Sequence, residues 1–215
     1  MQTALSILQA HRLSFSYDLR TVPLLFDQMN VVLHSGVTLV CGDEGSGKTT
    51  LLQLLAGTLQ PDAASGPLCI KGTDLLQDRP AYQRQVAWLD PRDSALDRQS
   101  AKQIFATVQK RHLDSDLDAL QAHIAGLSLA PHLDKTLDML STGTRRKVLL
   151  AAALAAQAPL TLLDQPFKAL DRPSIDYLLQ LLAEAARHPS RAWLVADYEA
   201  PPGVVLAGVI ELRCS

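Results

Sequence analysis

Gly42-Asp43-Glu44-Gly45-Ser46-Gly47-Lys48-Thr49 is the stretch whose reading decides the fold. It fits G-x-x-x-x-G-K-[ST] in full. The apolar run Val37 to Cys41 precedes it and reads as a strand. Thr49-Thr50-Leu51-Leu52-Gln53-Leu54-Leu55-Ala56 follows, rich in helix formers, with Gly57 placed to end the helix. A strand that turns through glycines into a helix makes a phosphate cradle. The glycines let the backbone fold tightly with its N–H groups inward, and the helix adds its positive N-terminal end. Lys48 is then positioned for the β- and γ-phosphates, and the Thr49 hydroxyl for Mg²⁺. The candidate nucleotide-binding residues here are Gly42, Asp43, Glu44, Gly45, Ser46, Gly47, Lys48, Thr49 and Thr50.

A cradle of this kind needs a second element, an apolar strand ending in an acid beside the metal. Leu160-Thr161-Leu162-Leu163-Asp164 supplies it, making Asp164 a candidate metal residue with Thr49. Upstream of the cradle, Leu5 to Leu8, Leu13 to Tyr17, Met29 to Leu33 and Val37 to Cys41 alternate with polar breaks and predict a strand-rich start. Leu68 to Lys71 and Gln85 to Leu89 read as further short strands. From Ser100 to Ala155 the period turns helical, with Ile104, Phe105 and Val108 on one face, Leu117, Leu120 and Ile124 on another, and Pro131 separating two helices. Strands return at Leu160 to Leu163, Ala192 to Val195 and Val204 to Leu212, with a helix over Pro173 to Ala186 between the first two. The order predicts a layered α/β core with a helical insert.

Between cradle and acid strand stands Leu140-Ser141-Thr142-Gly143-Thr144-Arg145-Arg146-Lys147, leading into a helix. It resembles the LSGGQ signature of ATP-binding-cassette (ABC) ATPases, with Thr142 in place of a glycine and Thr144 in place of the glutamine. Ser141 also suits a helix N-cap, and both readings hold together. Asp164-Gln165-Pro166 followed by Ala169-Leu170-Asp171 resembles the family's Walker B and D-loop. Tyr17 sits where the family has an adenine-stacking aromatic; a strand aromatic packed in the core is the alternative. The resemblance spans essentially the whole chain. It implies one domain over residues 1–215, a P-loop NTPase (RecA-like) core with an N-terminal antiparallel β subdomain and an inserted helical subdomain. Core and insert divide at about 1–78 and 156–215 against about 79–155. It also implies ATP and Mg²⁺ as ligands, and a head-to-tail dimer with a second ABC subunit. In such a dimer Ser141 and Gly143 serve the partner's nucleotide. A kinase or GTPase is disfavoured by the signature and by the lack of an N-K-x-D segment.

The sequence departs from the family pattern at three places. Gln165 stands where a glutamate usually handles the attacking water; an amide orients water but does not take its proton at neutral pH, which predicts slow hydrolysis. Asp197 follows the Ala192 to Val195 strand where a switch histidine is expected, and no histidine follows His188. A carboxylate about 4 Å from a phosphate charge is repelled by roughly 4 kcal/mol at an effective dielectric near 20. Asp197 is therefore expected to turn away, hold a proton or face a cation. Asp90 replaces a metal-contacting glutamine; it is a candidate hard-oxygen ligand or a turn residue before Pro91. All three belong to the site holding this chain's own cradle, whereas Ser141, Gly143 and Asp171 would serve the partner's. Gln165 and Asp197 are thus the candidate catalytic positions, and Thr49, Asp90 and Asp164 the candidate metal positions.

Hydrophobic residues make up 47% and charged residues 20% of the 215, a balance that excludes a disordered chain. A formal net charge of −2 offers no basic surface for nucleic acid. Cys41, Cys69 and Cys214 form neither a metal spacing nor a disulfide framework, as suits a reducing compartment. No signal peptide is read at the start, and Val148 to Leu163, broken by Gln157 and Pro159, is too short to span a bilayer. The expectation is a cytoplasmic protein, peripheral at the inner face of the membrane, that couples ATP to a separate transmembrane permease. A soluble ATP-dependent clamp or regulatory module is the alternative. The small size resembles compact cassettes such as those exporting haem for cytochrome maturation.

Overall fold

The computed structural model of the chain describes residues 6–17 and 24–212; Cys214 lies outside them. The strand-rich start folds as β1 (Ser6–Phe15), β2 (Phe26–His34) and β3 (Gly36–Cys41). Strand β1 is continuous where the sequence suggested two short runs. It pairs antiparallel with β2 on one side and with β4 (Leu68–Ile70) on the other, and β5 (Thr73–Asp74) completes a four-stranded antiparallel sheet. Strand β3 leaves that sheet for a second one, with β6 (Val86–Ala87), β7 (Leu160–Asp164), β8 (Ala192–Ala196) and β9 (Leu206–Glu211). Its order is β6-β7-β8-β3-β9 and every neighbouring pair is parallel.

The parallel sheet is apolar on both faces, as a covered sheet must be. Alternation sends Leu160, Leu162, Leu194 and Val40 into one core, shared with the antiparallel sheet and with α1 (Lys48–Leu55). Val37, Leu163, Trp193 and Val195 enter the other. That second core is closed by α3 (Ala101–Arg111), α4 (Leu117–Gly126), α5 (Thr142–Ala155) and α6 (Arg172–Ala185), which follow the short α2 (Arg79–Arg84).

Helix boundaries follow local chemistry. Gly57, with φ 67°, ends α1 in a Schellman arrangement: its N–H donates to the Leu54 carbonyl at 2.9 Å and Thr58 N–H to that of Gln53 at 3.0 Å. Ser100 and Gln103 cap α3 reciprocally, and Asp116 caps α4. Ile104, Phe105, Val108, Leu120 and Ile124 are buried as the period predicts. Leu117 shares their stripe but opens α4 and is 61% exposed. Sequence reading missed α2 and β5, which are too short to show a period. Tyr82 on α2 is fully buried and donates its hydroxyl to the Leu55 carbonyl at 2.7 Å, tying α2 to the end of α1.

Register places the site. Val40 and Asp164 both lie opposite Ala196, so the carboxyl ends of β3, β7 and β8 are level. Open parallel sheets bind ligands at that edge, and the cradle, Asp164 and Asp197 all leave the sheet there.

Candidate functional site

The loop between β3 and α1 needs its glycines for different reasons. A Cβ on Gly42 would lie 2.5 Å from the Leu212 carbonyl oxygen and 2.6 Å from Ser46 Oγ. Gly47 caps α1 at φ 92° with Phe26 and Leu25 within about 3 Å of where a Cβ would sit. Lys48 is buried, and its Nζ donates to the carbonyls of Gly42, at 2.5 Å, and Asp43, at 2.8 Å. The Tyr198 ring also faces that ammonium, 4.5 Å from its centroid. Thr49 Oγ1 donates to Asp164 Oδ2 at 2.7 Å, across 115 positions of sequence.

A cleft of about 520 Å³ opens over this pair. Of the sequence-predicted residues it is lined by Tyr17, Glu44, Gly45, Ser46, Gly47, Lys48, Thr49, Thr50, Asp164 and Gln165. Tyr17 is 70% exposed, not packed in the core; its hydroxyl lies 2.8 Å from Thr50 Oγ1 and its ring meets Phe15 edge-on. The exposed ring is thus held at the rim by contacts at its edge.

Asp90, Asp197, Ser141 and Gly143 do not line the cleft. Asp90 sits at its border, where Gln53 Nε2 donates to Oδ2 at 3.1 Å and the Arg92 N–H to Oδ1 at 2.9 Å. Asp197 accepts from the Tyr198 N–H at 2.9 Å, and Tyr198, not Asp197, faces the cleft. Burial pushes the Asp197 carboxyl up, as does the charge of Asp164, while the Tyr198 N–H, Lys48 and Arg146 oppose this. Ser141 caps α5, accepting from Thr144 N–H at 3.2 Å. Gly143 abuts the loop carrying Asp171: a Cβ there would lie 2.3 Å from the Ala169 carbonyl oxygen. Lys147 Nζ donates to Asp171 Oδ2 at 2.8 Å, and with help from Ser174 holds that carboxyl down at about 2. Ser141, Gly143 and the Asp171 loop are thus held close together, and neither Ser141 nor Gly143 lines the cleft over the chain's own cradle.

The sequence reading missed Leu25, Arg92, Arg146, Lys168 and Tyr198, which also line the cleft. Arg146 Nη1 donates to the carbonyls of Asp164, at 2.8 Å, and Gln165, at 2.6 Å, fixing the turn after β7. Gln165 sits in that turn at φ 44°; its N–H donates to the Ala196 carbonyl, and Lys168 Nζ donates to Oε1 at 3.3 Å. Four cations, Lys48, Arg92, Arg146 and Lys168, therefore border one small space. No local pattern announces the last three, since a lone basic residue reads as a solvated one.

Thr49 and Asp164 present two hard oxygens suited to Mg²⁺, which keeps much of its water and takes few protein ligands. Among the described residues no three His, Cys, Asp or Glu side chains converge on a point that could hold a metal.

The fold and this cleft are those of an ABC nucleotide-binding domain, a P-loop NTPase. The chain matches the ABC transporter family over residues 26–168 and belongs to it. It is similar to the cytochrome c biogenesis ATP-binding export protein CcmA of Pseudomonas fluorescens (strain Pf0-1), with 33% identity over 190 residues, 88% of this chain and 86% of that one. Against the protein of the same name from Escherichia coli (strain K12), identity is 33% over 181 residues, 84% of each chain. Among solved structures, an ATP-binding subunit of an ABC transporter superposes with a TM-score of 0.76 at 21% identity, covering 88% of this chain and 79% of that one. A putative ABC transporter ATP-binding protein from Pyrococcus furiosus gives 0.71 at 21%, covering 95% and 96%.

Proposed function

We propose that this chain is the energy-coupling subunit of an ABC transporter, binding ATP with Mg²⁺ and hydrolysing it slowly. The observation that carries the reading is the 2.7 Å hydrogen bond from Thr49 to Asp164, which joins the phosphate cradle to the acid at the end of β7. In this reading the loop Gly42–Thr50 holds the phosphates, Lys48 turns from the loop carbonyls to the phosphate oxygens, and Tyr17 stacks on the adenine. Mg²⁺, when bound, neutralises charge on the β- and γ-phosphates. Gln165 orients a water without deprotonating it. Ser141 and Gly143 complete the nucleotide site of a second ABC subunit, identical or different.

None of the helices among the described residues is long and apolar enough to cross a membrane; in this reading a transmembrane permease provides the passage, with this chain at its cytoplasmic face. The names of the relatives extend the proposal to an export step in cytochrome c biogenesis. Calorimetric titration with ATP in Mg²⁺ tests the binding reading. Saturable binding is expected, weakened at least about tenfold in Lys48→Ala, a loss of about 1.4 kcal/mol or more. Absence of saturable binding to the wild-type chain would overturn it.

A further inference from the structure

Arg92 lies at the metal end of the cleft. Its Nη2 is 3.6 Å from Asp164 Oδ2 and its Nε 3.6 Å from Asp90 Oδ1, so one guanidinium bridges both candidate metal carboxylates. We infer that Arg92 supplies part of the positive charge a divalent ion would otherwise bring, so that this chain holds ATP with little dependence on Mg²⁺. The inference rests on the cleft being an ATP site.

Each carboxylate is already engaged. Asp164 Oδ2 accepts from Thr49 Oγ1 and faces the guanidinium. Asp90 has both oxygens occupied, Oδ2 by Gln53 Nε2 and Oδ1 by the Arg92 backbone N–H. That backbone bond holds the base of the Arg92 side chain against the acid its head also faces, so the loop presents Arg92 to the site. A divalent ion bound through Asp90 would share oxygens that already accept from Gln53 and Arg92. The local charge works the same way: two carboxylates offset by one guanidinium attract a dication less than two bare ones.

The guanidinium is also suited to the ligand. It carries five N–H donors in a planar fork that matches phosphate oxygens. Contacts at 3.6 Å are longer than hydrogen bonds, so the fork is oriented by charge but not consumed by its acids. Arg92 lines the cleft, with a side chain 64% exposed, and reaches phosphate without crossing packed structure. The competing outcome is that Arg92 makes only an exposed ion pair worth about 0–1 kcal/mol and swings away when Mg-ATP enters.

The test is the ATP dissociation constant of the full chain by calorimetric titration, with saturating Mg²⁺ and again with EDTA. Wild type, Arg92→Ala, Arg92→Gln and Lys48→Ala are compared. The wild-type constant should rise less than about threefold in EDTA, whereas Arg92→Ala and Arg92→Gln should lose about tenfold or more, the scale of one charge-assisted contact to phosphate. Thermal unfolding of each variant checks the fold, and Arg92→Gln carries the comparison if Arg92→Ala is damaged. A wild-type loss of tenfold or more in EDTA overturns the proposal, as does an unchanged Mg²⁺ ratio in a folded Arg92 variant. If wild type binds in Mg²⁺, Lys48→Ala does not, and EDTA abolishes wild-type binding, only the Arg92 inference falls. If wild type binds in neither buffer, the ATP-site reading falls with it.

Discussion

A Gln165→Glu variant should hydrolyse ATP about 10²–10³ times faster than the wild-type chain, within the range a positioned general base contributes. The position of Lys168 sets the upper limit. Lys168 Nζ donates to Gln165 Oε1 at 3.3 Å, so a carboxylate placed there acquires a cationic neighbour that makes it a weaker base. Lys168 is exposed, and a pair of that kind in water is worth about 0–1 kcal/mol. At about 1.36 kcal/mol per pKa unit the carboxylate falls by less than one unit. The pair therefore removes less than about a factor of ten from a gain of 10²–10⁴. The double variant Gln165→Glu/Lys168→Ala should recover that factor, unless Lys168 also binds phosphate, in which case KM rises while kcat does not fall. The assay is steady-state phosphate release with saturating Mg-ATP, with Lys48→Ala as the zero. Suppose wild type already runs far above Lys48→Ala and Gln165→Glu changes turnover less than about threefold, under 1 kcal/mol of barrier. Another group would then be handling the water, and the account of Gln165 would be refuted.

Tyr82→Phe leaves the Leu55 carbonyl unpaired in a fully buried place, which should cost about 1–3 kcal/mol. Scanning calorimetry should show roughly 2–4 °C of Tm lost per kcal/mol. Asp197 has its carboxyl raised by burial above the ordinary 3.8, so the native state holds its proton more tightly and stability falls as pH rises through the raised value. Asp197→Asn should therefore be more stable than wild type at neutral pH, with the gap closing towards pH about 4 in denaturant melts. His123 is shifted the other way: burial lowers its imidazole from 6.5 against the pull of Asp116. Its native form binds fewer protons, so its contribution is present above the ordinary value and lost as pH falls below it. A His123→Gln chain should show a flatter stability profile between pH about 8 and 5, and an equally steep one would count against burial as the cause.

The cradle and the acid strand were legible because each is local: glycines at fixed offsets, a lysine and threonine opening a helix, an apolar run closed by Asp164. Their union through Thr49 and Asp164 could be expected from chemistry, since one metal needs both. Strand order could not, because β3 pairs with β8 from a segment more than a hundred residues away. The insert showed its period, yet α2 and β5 were too short to have one. Arg92, Arg146 and Lys168 were invisible for another reason. Arg146 reaches the cleft only because α5 lays its first turns against the end of β7, and Lys168 only because the Gln165 turn is left-handed at φ 44°. Such placements are products of tertiary packing, and a basic residue carries no signal for them.

The departures from the family pattern and the unforeseen cations belong to one pattern of charge. Asp90 faces Arg92 and accepts from Gln53; Asp197 lies in the field of Lys48 and Arg146; Gln165 accepts from Lys168. Each altered position thus has a basic residue beside it that the motif does not demand. Two acids were added where the family pattern has a neutral donor or an amide, and one was removed where the family has its water-activating carboxylate. The nearby cations offset the repulsion that Asp90 and Asp197 would exert on phosphate, and nothing restores a proton acceptor at Gln165. In the proposed reading, a site changed in this way keeps its affinity for a polyphosphate and loses its means of taking a proton from water. That favours a subunit whose work is done on binding, with hydrolysis a slow reset, and it gives the Arg92 and Gln165 experiments independent handles on the two halves of the argument.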